Sequence, residues 1–123
     1  MQGKIQHYRE LLIWQKGITL VKDIYFLTKK FPESEKFGLT AQIQRAAVSV
    51  PSNIAEGQAR QHSNEFRQFL YVVLGSLAEL DTQTTIAGEL GYINTNELKM
   101  LIAKIIELRK MVWGILSKLN TGH

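Results

Sequence analysis

The amino-acid sequence predicts an all-α protein, one domain of residues 1–123 folded as an antiparallel up-down-up-down four-helix bundle. Three observations lead to this prediction. Apolar residues recur every three or four positions through four long segments, which is the helical period and not the strand period. Short turns containing proline or glycine separate these segments. No segment has the pattern of a strand, and no internal repeat has solenoid spacing.

The first helix is predicted over residues 8–30. Its apolar positions, among them Trp14, Val21 and Ile24, follow one another at three- and four-residue steps. Phe31-Pro32 ends the helix, because the residue before a proline is steered away from helical backbone angles. The loop PESEKFG then leads to the second helix.

The second helix is predicted over residues 40–60, with Thr40 as its N-cap. Pro51 lies inside this segment, where a proline removes one backbone hydrogen bond and clashes with the carbonyl group of Ala47. A stripe of polar residues keeps the same helical register on both sides of Pro51. We therefore expect one continuous helix that is kinked at Pro51, and not two separate helices.

The third and fourth helices are predicted over residues 63–90 and 95–120, with Ser63 and Thr95 as their N-caps. The third repeats apolar residues at alternating four- and three-residue steps from Phe66 to Ala87. The apolar sector of the fourth covers roughly half of its circumference, whereas a single core needs a stripe of about 100°. This excess predicts that another subunit covers part of the fourth helix.

The polar stripe of the second helix consists of short amide and hydroxyl side chains with one guanidinium, unlike the Lys- and Glu-rich face of a solvated helix. A similar polar flank lies beside the apolar seam of the third helix. If these helices pack side by side, Arg45 can pair with Glu79, within one chain or between two chains. We favour a structural role for this network over a ligand site. The predicted interface network comprises Gln42, Arg45, Ser49, Asn53, Glu56, Ser76, Glu79 and Gln83.

The formal net charge is +4, from 15 Lys and Arg and 11 Asp and Glu residues. It allows a nucleic-acid partner through neutralisation of phosphates, although charge alone favours a bundle with scattered solubilising lysines. One chain offers no continuous basic groove, but an oligomer could join weak patches into a ring. The candidate contacts to RNA or DNA are Lys16, Lys22, Lys29, Lys30, Arg60, Arg67, Lys99 and Lys110. We expect the following aromatic side chains to lie in the core or at an interface: Trp14, Tyr25, Phe66, Phe69 and Trp113.

The sequence lacks the patterns of a catalytic or metal site. It has no cysteine, and none of its three histidines has a second histidine or a glutamate at metal-binding spacing. No glycine-rich phosphate loop is present. We therefore predict no enzymatic activity, no metal and no cofactor. The polar opening MQGKIQHYRE and the lack of an apolar run near the ~20 residues that span a bilayer lead us to expect a cytoplasmic protein without a membrane partner.

The most specific segment of the chain is SVPSNIAEG, residues 49–57. Other characteristic segments are WQK at 14–16, FP at 31–32, FGLT at 37–40, RAA at 45–47, GSL at 75–77 and LGYI at 90–93. With these segments, nearly the whole chain resembles the four-helix-bundle proteins encoded in intervening sequences of bacterial 23S ribosomal RNA genes.

The resemblance implies an antiparallel bundle that assembles into a homopentamer and has no enzymatic activity. A related bundle protein is an accessory to diversity-generating reverse transcription and has a basic surface suited to nucleic acid. RNA or DNA is therefore the partner that the resemblance implies, besides other copies of the chain. The alternative is an assembly or protein-interaction scaffold with no nucleic-acid role.

Overall fold

The computed structural model describes residues 7–122 of the chain. Within this range the chain forms four α-helices and two short 3-10 turns, and no strand is present. The 3-10 turns are Tyr8–Glu10 and Glu33–Glu35. The helices are α1 (Leu12–Thr28), α2 (Leu39–Ala59), α3 (Ser63–Glu89) and α4 (Thr95–Gly122). The predicted all-α class is confirmed.

The order of contacts along neighbouring helices shows that they pack antiparallel. Between α1 and α4, residue numbers rise on one helix as they fall on the other in the ion pairs Lys16–Glu107, Asp23–Lys104 and Lys30–Glu97. Between α2 and α3 the same reversal relates the close pairs Ser49–Ser76 and Gly57–Phe69. Between α1 and α2 the pairs Gly17–Pro51 and Thr28–Gln44 reverse in the same way, so the helices run up, down, up and down.

The first helix is shorter than the predicted range of 8–30. Tyr8–Glu10 form a separate 3-10 turn, in which the Arg9 amide donates to His7 Nδ1 at 3.1 Å. Leu11 has extended backbone angles (φ −78°, ψ 127°) and separates this turn from α1. The apolar spacing continues through this break, which explains why the sequence pattern places the helix start too early.

The second helix passes through Pro51 without interruption, so the predicted continuity is found. Pro51 is buried against α1, where a Cβ added to Gly17 would lie 3.3 Å from Pro51 Cβ. The missing side chain of Gly17 thus allows α1 to approach α2 at the proline. The bend at Pro51 stays a prediction.

The helix starts differ from the predicted N-caps by one residue or more. For α4, the Asn94 amide donates to Glu97 Oε1 at 2.9 Å and the Glu97 amide donates to Asn94 Oδ1 at 2.8 Å. This reciprocal capping box makes Asn94 the cap, and Thr95 is the first helical residue. For α2, the Leu39 amide donates to Glu35 Oε1 at 3.0 Å, so Thr40 lies inside the helix.

Likewise, α3 begins at Ser63 itself, with His62 in the N-cap position.

Glu35 also joins two connections of the bundle. Its Oε2 accepts a hydrogen bond at 3.0 Å from the hydroxyl group of Tyr92, which lies between α3 and α4. This bond, followed by burial and the carboxylate charge, raises the pKa of Tyr92.

The Glu97 carboxylate of the capping box titrates below its ordinary pKa of 4.5, mainly because Lys30 donates a hydrogen bond to it and secondly because the Asn94 amide does so. A carboxyl group whose pKa is lower in the folded than in the unfolded chain stabilises the fold above the unfolded pKa. That contribution is lost as the pH falls from about 4.5 through the folded pKa.

We therefore expect Glu97→Gln to lower the thermal midpoint at pH 7 and to reduce the loss of stability on acidification below pH ~4.5. Thermal unfolding from pH 7 to pH 3, followed by circular dichroism, measures both effects. Glu33→Gln is the control, since the Glu33 side chain forms no hydrogen bond or ion pair within residues 7–122. Parallel pH curves for wild type and Glu97→Gln would contradict the expectation.

The core lies on the bundle axis and includes the predicted apolar seam of α3. Six of the seven seam residues are buried, and Phe66 packs partly buried against the core. The wide apolar sector of α4 is mostly covered inside the chain, because α1 and α3 flank it on two sides. On α4, the exposed large apolar side chains among the described residues are Met100 and Trp113.

Candidate functional site

An open groove of about 440 Å³ runs between α2 and α3, which we call the α2–α3 groove. Seven of the eight residues of the predicted interface network line it: Gln42, Arg45, Ser49, Asn53, Ser76, Glu79 and Gln83. Ala46 and Val72 complete the lining. Glu56 lies outside the groove and accepts a hydrogen bond from Arg60 at 3.1 Å, one helical turn away.

The groove follows from helical spacing on two antiparallel helices. Its polar residues recur every three or four positions on both α2 and α3, so each set forms one stripe beside the buried face. Ala46 and Ser76 lie where the stripes meet the core, and their small side chains leave the space open. Sequence reasoning could place these residues together because it needs only the helical period and the order of the helices.

The floor of the groove is a satisfied polar network. The Ser49 hydroxyl donates to the carbonyl oxygen of Ala46 at 2.8 Å and lies within 2.5 Å of the Ser76 hydroxyl. Asn53 Nδ2 donates to the carbonyl oxygen of Ser49 at 2.7 Å. Ser76 is 6% exposed. These bonds tie α2 to α3 and fix the lower part of the groove.

The walls of the groove, in contrast, carry polar groups without partners. Gln42, Arg45 and Glu79 form no side-chain hydrogen bond or ion pair with any other residue in the described part of the chain. The Oε1 atom of Gln83 is buried and accepts no hydrogen bond from residues 7–122. A buried polar atom without a partner costs about 1–3 kcal/mol, so the groove offers bonding capacity that this chain alone does not use.

The predicted Arg45–Glu79 ion pair is therefore not formed within one chain. Both side chains are exposed on the groove walls, one from each helix. A single sequence cannot predict the distance between them, because it depends on how closely the two helices approach. The alternative that a second chain supplies the partners stays open.

The groove has an apolar border. Val72 on α3 is 51% exposed, and Val48 on α2 is also exposed. Arg45 and Ser49 are shared with a shallower depression between α1 and α2, which Tyr25 and Val48 line as well. Protein–protein interfaces combine apolar contacts with direct hydrogen bonds, and this surface offers groups for both.

The eight candidate nucleic-acid contacts divide into engaged and free cations. Lys16 and Arg60 form ion pairs with Glu107 (3.3 Å) and Glu56 (3.1 Å), and Lys30 is bound to Glu97. Arg67 donates to Asn64 Oδ1 at 2.8 Å and to the carbonyl oxygen of Leu119 at 3.4 Å, while its buried Nε has no partner in the described part of the chain. Among residues 7–122, no ion pair involves Lys22, Lys29, Lys99 or Lys110.

The structure also exposes aromatic rings that the sequence interpretation did not consider. Phe26 on α1 and Phe37 in the turn before α2 are both exposed. Tyr25 and Trp113, which were expected in the core or at an interface, are exposed as well, so they do not lie in the core of this chain. Phe26 falls outside the apolar stripe of α1, between Lys22 and Lys29. Phe26 is an apolar residue that lies outside the apolar stripe, and this departure from the helical period could have identified it as exposed.

Neither a metal-binding cluster nor a membrane-spanning helix is present in residues 7–122. No cluster of three or more His, Cys, Asp or Glu residues there could hold a metal ion. Among the helices of residues 7–122, none combines the length and the hydropathy needed to cross a membrane.

Comparison with known proteins supports the same fold. The family model for 23S rRNA-intervening sequence proteins matches residues 9–114. A crystal structure at 1.70 Å of a protein of unknown function from the S23 ribosomal protein family of Bacteroides thetaiotaomicron is similar, with a TM-score of 0.79 and 22% identity. The match covers 85% of this chain and 98% of that one. No curated protein matches the chain.

Proposed function

Because the chain belongs to the family of 23S rRNA-intervening sequence proteins, we propose that it is a non-enzymatic, homo-oligomeric bundle that binds nucleic acid as an accessory factor. The α2–α3 groove is the contact between copies, and the assembly is a homopentamer. The lysines left outside ion pairs form the nucleic-acid surface of this assembly.

The observation that carries the assembly is the set of unpaired polar groups in the α2–α3 groove. The groove combines one cation, Arg45, and one anion, Glu79, with the amides of Gln42 and Gln83. A phosphate backbone would meet repulsion from Glu79, whereas a protein surface of mixed polarity can supply both acceptors and donors. The exposed Val48 and Val72 provide apolar area at the border. Another copy of the chain is a partner that is always available.

In a ring, the groove of one copy faces a different surface of the next copy. Each copy can then satisfy Arg45, Glu79 and Gln83 without the two-fold, groove-to-groove contact that would close a dimer. Five copies of a chain of 14.0 kDa give about 70 kDa. Five is the number of copies that the family resemblance implies.

The nucleic-acid role rests on the unpaired lysines and their repetition. Within residues 7–122 of each copy, no carboxylate pairs with Lys22, Lys29, Lys99 or Lys110. A ring repeats this small set in every copy, so contacts that are weak in one chain act together on a long polyanion. The net charge of +4 per chain adds a favourable long-range field.

We expect the purified protein to have a mass of about 70 kDa by light scattering at micromolar concentration, from five chains of 14.0 kDa each. We also expect it to bind RNA with an affinity that falls steeply as salt increases, because phosphate contacts release counterions. Light scattering with and without nuclease treatment and the 260/280 nm absorbance ratio separate the protein mass from co-purified nucleic acid.

Two outcomes would decide against parts of this proposal. A stable monomer of 14.0 kDa would remove the assembly. An oligomer that binds neither RNA nor DNA, or binds them without salt dependence, would leave the scaffold alternative as the better account.

A further inference from the structure

The last turn of α1 and the connection to α2 carry two exposed phenylalanine rings, each beside a lysine. Phe26 is 69% exposed and Phe37 is 89% exposed. The Lys29 ammonium lies 5.9 Å from the centre of the Phe26 ring, and the Lys36 ammonium lies 5.6 Å from that of Phe37. Both distances are within the range of a cation–π contact.

A third lysine extends this surface along α1. Lys22 precedes Phe26 by four residues and Lys29 follows it by three, so all three share one helical face about 10 Å long. We call Lys22, Phe26, Lys29, Lys36 and Phe37 the basic–aromatic surface. None of its lysines forms an ion pair within residues 7–122.

The carboxylates in the same stretch of chain are mostly engaged elsewhere. Asp23 is bound to Lys104 on the α4 side of α1. Glu35 accepts hydrogen bonds from the Leu39 amide and the Tyr92 hydroxyl. Of the carboxylates in residues 22–37, Glu33 alone forms no hydrogen bond or ion pair with the described residues, so the basic–aromatic surface keeps an excess of positive charge.

We propose that the basic–aromatic surface binds single-stranded nucleic acid. Unpaired bases stack on the rings of Phe26 and Phe37, and the lysines between and beside them bind the phosphates. Any base offers a face to an aromatic ring, so this arrangement needs no particular sequence. The inference rests on the nucleic-acid part of the proposed function and specifies the class of ligand.

The arrangement of rings and charges favours a single strand over a duplex. Bases inside a duplex are stacked on one another and leave no face for Phe26 or Phe37, whereas a loop or free strand can turn its bases outward. Lysines alone would bind the phosphates of a single strand and those of a duplex alike. Repetition around the oligomer lets one strand engage several copies of the surface.

The test compares a labelled 20-nucleotide uridine strand with a blunt 20-base-pair RNA duplex, by fluorescence anisotropy on the full-length assembly. We expect the wild type to bind the strand more tightly than the duplex. The double variant Phe26→Leu/Phe37→Leu keeps apolar side chains but removes the rings. It should bind the strand more weakly by about 5-fold or more for each ring, with an unchanged salt slope.

A second variant tests the charges. Lys22→Gln/Lys29→Gln/Lys36→Gln should reduce the slope of log affinity against log salt by about 2, from ~0.7 for each phosphate contact on a single strand. Phe26→Trp/Phe37→Trp should bind at least as well as the wild type. Trp113→Leu is the matched control, because Trp113 is an exposed ring on α4 outside the surface. Light scattering on every variant checks that the assembly mass is unchanged.

The outcomes separate this inference from the proposed function. Equal binding of strand and duplex, or equal losses in the Phe26/Phe37 and Trp113 variants, would overturn the inference while nucleic-acid binding stands. A correct assembly mass with no binding of either RNA would overturn the inference, and with no binding of DNA either it would overturn the nucleic-acid part of the proposed function as well. Binding to phosphatidylserine vesicles that depends on Phe26 and Phe37, without binding to the strand, would assign the surface to membranes instead.

Discussion

Replacing Gly57 with valine is expected to lower the free energy of unfolding by about 3 kcal/mol, the upper part of the range for overpacking a core. Gly57 lies at a close approach of α2 and α3, near the connection that joins them. A Cβ at this position would lie 2.6 Å from Phe69 Cβ and 3.1 Å from Phe66 Cδ1. Phe69 Cβ is attached to the backbone, so relief requires a shift of the helix and not of a flexible side-chain end.

The control is a glycine replacement at an open position, and it matches the Gly57→Ala variant, which likewise adds a single Cβ. A Cβ at Gly114 on α4 meets no atom within 4 Å, so Gly114→Ala should raise stability by about 0.4–1 kcal/mol through lower backbone entropy of the unfolded chain. The free energy of unfolding of Gly57→Ala should lie between those of Gly57→Val and Gly114→Ala. Urea unfolding at one fixed protein concentration measures all three, since the stability of an oligomer depends on concentration. A Gly57→Val variant as stable as the wild type would show that the helices can separate at low cost.

Replacing Arg45 with alanine is expected to weaken self-association by about 30-fold or more, which corresponds to ~2 kcal/mol. In the proposed assembly Arg45 is covered by a neighbouring chain and pairs with one of its acceptors. Truncation leaves that acceptor buried without a partner, which is the costly part of the change. The Arg45 side chain has no hydrogen bond or ion pair to lose among the described residues of its own chain, so the fold of each chain should keep its stability to within about 0.5 kcal/mol.

Light scattering or sedimentation velocity over a range of protein concentrations measures this effect as the appearance of 14.0 kDa monomer. Lys99→Ala is the control, because it removes the same charge from an exposed side chain outside the groove. An Arg45→Ala variant that keeps the wild-type mass at every concentration would exclude the α2–α3 groove as the contact between copies.

The bundle and most of the groove could be predicted because both depend on the helical period. Four periodic segments with short connections leave few ways to bury four apolar stripes. The same period places Ser49 and Ser76 on facing flanks, where the structure finds them hydrogen bonded. The family resemblance is confirmed as well.

The remaining features depend on choices between locally similar alternatives. Asn94 and Thr95 are both good N-cap residues, and the position of Glu97 three residues after Asn94 decides between them. The break at Leu11 changes one residue's backbone angles and leaves the apolar spacing intact. Whether Arg45 reaches Glu79 depends on the separation of two helices, a tertiary quantity that no local pattern contains.

The exposed rings of Phe26 and Phe37 were missed for a different reason. Phe26 and Phe37 interrupt the polar surface of α1 and its following turn, and the sequence shows Phe26 between Lys22 and Lys29 and Phe37 next to Lys36. Attention to departures from the apolar stripe, and not only to the stripe itself, would have identified them. Their degree of exposure still required the packed structure.

The hydrogen bonds of Glu35 have a consequence for the dynamics of the end of the bundle that carries Phe37. The Leu39 amide and the Tyr92 hydroxyl both donate to this one carboxylate, which links the connection before α2 to the connection after α3. Opening either connection therefore requires breaking contacts of the other, and amide hydrogen exchange should be slowed in both together. Phe37 is thus held on a stiff support, and a ligand that stacks on it loses little conformational entropy in the loop.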